Sequence, residues 1–149
     1  MIQRRTVLAL LATPPLALIA ARADASSPVF SSAGIAINGT DPVAYFDVGA
    51  ATPGREIFAA DWTGVRWLFA SAANRDLFAA NPDRYAPAYG GYCAWAASRG
   101  YIADTVSEAW TIHEGRLFLN ASLRIRRRWE RDIPGNVARA DMNWPGILG

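Results

Sequence analysis

Cys93 is the single cysteine of this 149-residue chain, and His113, twenty positions on, is its single histidine. A thiolate and an imidazole suit copper or zinc. A closed zinc site takes four protein ligands, so Asp41, Asp104, Glu114 or a tyrosine would have to complete it. Copper(I) tolerates fewer, which makes copper the metal expected at a Cys93 and His113 site. The same two residues suit nucleophilic catalysis. Cys93 lies in Tyr89-Gly90-Gly91-Tyr92-Cys93-Ala94-Trp95, near an expected helix N-terminus, a position that lowers a thiol pKa. His113 would be the base, oriented by Asp104 or Asp41, and amides after the glycines would bind an oxyanion. A cysteine preceding a histidine is permissive rather than diagnostic, so no catalytic residue is assigned. In a third reading Cys93 is a small buried hydrophobe.

The elements that must position these residues follow from the apolar pattern. Ile35 to Thr40 leads into Asp41-Pro42, a turn signal, and an expected short strand at Val43 to Phe46. Glu56 to Trp62 and Val65 to Ala70 flank Thr63-Gly64, while Ala109 to His113 and Arg116 to Asn120 flank Glu114-Gly115. Each pair reads as a hairpin with a two-residue turn. Strand alternation puts Trp110 and Ile112 on one face and Thr111 and His113 on a more polar one. Ser71 caps a helix over 72–80 with Leu77 and Phe78 inward, and Ser122 caps another over 123–131 with Ile125 and Trp129 on one face. A short helix spans 92–98, and Pro134 opens a last one ending near Met142. The fold class is α+β: a small antiparallel sheet built from two hairpins and packed with short helices. The arginine run at 124, 126, 127, 128 and 131 reads as a solvated helix face, with an anion, an acidic partner or a membrane surface as alternatives. Most of the six tryptophans belong to the core, with one or two lining a pocket.

Residues 1–25 read as a cleaved export signal. A basic start, an apolar stretch from Val7 to Ala21 and small-x-small sites at Ala23 and Ala25 fit that pattern. Arg4-Arg5 gives the segment a twin-arginine character. Pro14-Pro15 and the short length argue against a spanning anchor. A periplasmic protein follows, with residues 26–34 as a linker and 35–149 as one domain. The leader holds three of the fifteen basic residues and one of the thirteen acidic ones. The remainder is therefore balanced, and charge gives no case for nucleic acid. Every basic residue is arginine, which excludes a Schiff-base or P-loop lysine.

Thr40-Asp41-Pro42-Val43-Ala44-Tyr45-Phe46, Trp67 to Phe78, and Asn81-Pro82-Asp83-Arg84-Tyr85 together resemble a YHS domain, as found in exported single-domain bacterial proteins. The Tyr-Gly-Gly-Tyr-Cys-Ala stretch, the Ala-Trp-Thr-Ile hairpin and the late Trp-Pro extend the likeness over 36–145. The resemblance implies metal handling, through cysteines in the metal-linked members. This chain carries Ala44, Ala70 and Asn74 at those positions, leaving Cys93 and His113 as candidate ligands. The expectation is a metal-binding module, with a non-metal ligand- or partner-binding module as the alternative.

Overall fold

The computed structural model describes residues 25–149; the expected signal segment lies almost entirely outside the described residues. Among the described residues, two sheets and six α-helices form the α+β architecture expected from the sequence. The first sheet has the order β1-β2-β4-β3, with β1 at Ser31–Ser32, β2 at Ile35–Ala36, β3 at Arg55–Trp62 and β4 at Val65–Phe69. β2 runs parallel to β4 through Ile35 and Arg66. β5 (Trp110–His113) and β6 (Arg116–Leu119) form a separate antiparallel pair, so the two hairpins sit in two sheets rather than one.

Three hairpin turns share one chemistry. Ala33-Gly34, Thr63-Gly64 and Glu114-Gly115 all have both residues at positive φ. That is the mirror-image turn whose twist matches flanking strands. The first of these was not foreseen, because 26–34 reads as linker by composition. The structure corrects that reading. Val29 and Phe30 are buried, Phe30 N donates to Gly90 O at 2.9 Å and Ser26 N to Leu148 O at 2.8 Å, and Tyr92 Oη donates to Ser27 O at 2.8 Å.

α1 (Ala44–Asp47) replaces the strand expected after Asp41-Pro42. The reason is local: Asp41 Oδ1 accepts from Val43 N at 2.8 Å and Ala44 N at 3.2 Å, capping a helix where apolar content alone suggested extension. α2 (Ala72–Ala80) starts on Ser71, whose hydroxyl accepts from Asn74 N at 3.1 Å. Phe78 is buried, but Leu77 is half exposed. α3 (Pro82–Tyr85) follows, and α4 (Ala94–Ser98) begins two residues later than expected. α5 (Leu123–Trp129) starts on Ser122 and passes through a 3₁₀ turn, Glu130–Asp132, into α6 (Ile133–Asn143).

The core has two parts separated by the β5–β6 hairpin. Leu117, Leu119, Trp110 and Ile112 join Trp67, Phe69, Phe78 and Tyr45 on one side. Phe118 joins Tyr89, Trp129 and Ala140 on the other. Alternation along β6 sends its buried residues to opposite faces. The face holding Thr111 and His113 therefore backs onto a second apolar layer under α5 and α6. It is not the polar surface expected.

Candidate functional site

Cys93 sits immediately before α4 at 1% exposure. Its neighbour in the sheet is Leu119, and its Sγ lies 3.5 Å from Asn120 Oδ1. Burial pushes the thiol pKa up, against lowering by hydrogen bonds from nearby backbone groups. Burial thus outweighs the helix-start effect expected to activate it, and the group stays a neutral thiol. The amides that would form an oxyanion hole are engaged. Tyr92 N donates to Tyr89 O and Cys93 N to Ala103 O, both at 3.0 Å, and Trp95 N donates to Asn120 Oδ1 at 3.0 Å.

His113 closes β5 opposite Arg116, whereas Cys93 adjoins Leu119 at the other end of β6. The two candidate ligands are thus set about 10 Å apart along the strands. Nε2 of His113 lies 3.9 Å from Glu114 Oε1 on the surface. Among the described residues no three of His, Cys, Asp and Glu gather as a metal-holding group. The donor set therefore does not fit the copper site expected of Cys93 and His113.

The three positions where the resemblance implies cysteines do converge, on a carboxylate. Asp41 is fully buried. Besides Val43 and Ala44, it accepts from Ala70 N at 2.8 Å and Asn74 Nδ2 at 2.7 Å through Oδ2. Ala44, Ala70 and Asn74 thus surround one anion whose lone pairs are taken up by protein donors. Asp41 joins the start of α1 to the β4–α2 junction. It is a structural residue and leaves no free valence for a ligand.

Tyr89-Gly90-Gly91 serves a different end. Tyr89 has φ 57° and ψ 34°, and Gly90 has φ 63°; left-handed backbone is costly for an aromatic residue. A Cβ on Gly90 would collide with Pro28 O, and one on Gly91 with the Ile37 side chain. The glycines let the chain pass against the N-terminal strap, and this holds Tyr89 as the wall of a cleft of about 370 Å³. Trp62, Trp67 and Trp144 supply its other aromatic walls, and Asp83, Arg84 and Arg116 are its charged lining.

The Tyr89 wall is braced from behind. Tyr89 Oη donates to Asp141 Oδ1 at 2.9 Å. Arg116 grips the same carboxylate with Nη1 at 3.1 Å and Nη2 at 3.0 Å, a two-pronged charge-assisted pair. Arg116 holds the Asp141 carboxyl below its ordinary pKa. Burial first, then Asp141, pushes the Tyr89 phenol up. Tyr89 therefore stays a neutral donor at any ordinary pH. At the mouth, Arg84 lies 5.5 Å from the Tyr85 ring. It makes no ion pair among the described residues. Aromatic walls, one of them braced, with the Arg84 guanidinium and the Asp83 carboxylate side by side and unpaired among the described residues, are the chemistry of a binding cleft.

No family model, curated protein or solved structure matches the chain. The likeness to a YHS domain stands on the motif residues alone. By sequence, one or two tryptophans line a pocket and Gly90-Gly91 belong to the candidate thiol site. The cleft was missed because its walls come from five separated stretches of chain. The one local signal was an aromatic residue directly before two glycines.

Proposed function

We propose that the protein is an exported, non-catalytic module that binds a small organic molecule in the cleft between Trp62, Tyr89 and Trp144. The ligand class is a flat apolar body carrying one anionic group, with the body between the aromatic walls and the anion on Arg84. The observation that carries this reading is the left-handed Tyr89 held in place by Asp141 and Arg116. Strain retained at a concave surface, with its own bracing network, is characteristic of ligand sites. Export rests on the leader-like sequence, and Cys93 serves the core.

Three cleft tryptophans make the test direct. Titrating phenylacetate and benzoate, with benzyl alcohol as the neutral counterpart, should quench tryptophan fluorescence for the anions at lower concentration than for the alcohol. Arg84→Ala should weaken the anions about tenfold, as loss of a charge-assisted bond does, and leave the alcohol unchanged. Absence of saturable quenching by all three, or equal affinity for anions and alcohol in both proteins, would refute the assignment.

A further inference from the structure

Four of the five arginines between 124 and 131 line one hollow. Arg126 turns aside and is neutralised by Glu130, with Nε to Oε1 at 2.9 Å. Arg124, Arg127 and Arg128 stand at i, i+3 and i+4 on α5, and Arg131 continues their stripe from the 3₁₀ turn that follows. With Ser122 and Ile125 they line a depression of about 500 Å³ that contains no carboxylate. None of the four makes an ion pair among the described residues.

Two further observations separate this stripe from an ordinary solvated face. The helix dipole accounts for cations in the last turn, but Arg124 lies in the first turn, where a cation is unfavourable. The stripe also has a fixed point. The Arg128 guanidinium lies 5.2 Å from the Trp95 ring centroid, and Arg99 lies 4.1 Å from the same ring. Trp95 thus restrains Arg128, and Arg99 shares the same ring. Like charges crowded into a hollow without counter-charge oppose folding. An anion of several charges would reverse that.

We propose that this hollow binds a compact free anion carrying several phosphate groups. Guanidinium forks match phosphate oxygens in pairs, and a concave wall suits a small anion better than a flat surface. The site is separate from the aromatic cleft and does not depend on its occupant.

The experiment uses inorganic tripolyphosphate, titrated calorimetrically into the mature protein, with orthophosphate and phosphatidylglycerol vesicles as further arms. Tripolyphosphate should bind at one equivalent, at least tenfold tighter than orthophosphate, and weaken as salt is raised. R124Q/R131Q should lose about tenfold or more, while Arg66→Gln, on another surface, should bind as the parent. Circular dichroism of R124Q/R131Q confirms that the variant is folded. Equal affinity for orthophosphate and tripolyphosphate, or unchanged binding by R124Q/R131Q, would overturn the site. Vesicle binding that tripolyphosphate does not displace would assign the stripe to a lipid surface and overturn the free-anion reading.

Discussion

Buried side chains in this protein separate into those that hold the fold and those that shape its cavities, and Cys93 belongs to the first kind. Its thiol is enclosed, neutral and set against Asn120. In native protein it should react with a thiol reagent far more slowly than after addition of denaturant. Copper(I) titration of the parent and of Cys93→Ala should reach the same stoichiometry; one equivalent lost in the variant would restore the metal reading. That the chain has one cysteine and one histidine is plain in the sequence, but their separation is not. It depends on which end of β6 each adjoins, a matter of register. Asp41 was legible as a turn residue and as a candidate ligand or orienting carboxylate, but not as the junction it forms. Its four donors come from two places nearly thirty residues apart, and no local pattern connects them.

Helices with side-chain caps and hairpins with glycine turns were the legible elements. Ser71 and Ser122 cap where expected, because the capping bond spans only three residues. The strand expected at Val43 became α1 through Asp41, and the supposed linker at 26–34 was fastened by contacts with Gly90 and Leu148. The first difference is a local cap, and the second arises from partners distant in sequence. The strap and the Tyr89 loop depend on each other. Gly90→Ala would meet Pro28 O at a backbone φ of +63°, so it should destabilise the protein by about 3 kcal/mol or more. Urea unfolding should show this as a lowered midpoint. Gly49 has a similar φ of +71° but open space around it. Gly49→Ala should cost only about 1 kcal/mol, and the comparison isolates the steric term.

For the whole molecule, the braced cleft links stability to pH in two windows. The lowered pKa of Asp141 contributes stability that is present above the unfolded carboxyl value of about 4 and lost as pH falls through the folded value. Tyr89 is shifted upward, and Tyr45, mainly through burial, is pushed up to about 12. Their contribution is complete below the unfolded phenol value of about 10 and lost as pH rises towards the folded values. Urea midpoints should therefore form a plateau from about pH 5 to 9 and fall on both sides. Asp141→Asn should lower the plateau and flatten its acid limb; an unaltered acid limb would show that the pair with Arg116 is not responsible. The α+β class was readable from element order. The division of two hairpins between two sheets was not, since hairpins are local and the joining of sheets is not.

The strand buried on both faces, β6, has a dynamic consequence. Leu117 and Leu119 point into one apolar layer and Phe118 into the other, so neither layer can open without disturbing the strand they share. The amides of 117–119 should be the last to exchange with deuterium, at a rate set by global unfolding. Melting should be a single transition whether followed on the cleft side or on the α5–α6 side. A ligand in the cleft would then slow exchange beneath the arginine stripe as well, by stabilising the one unit to which both belong.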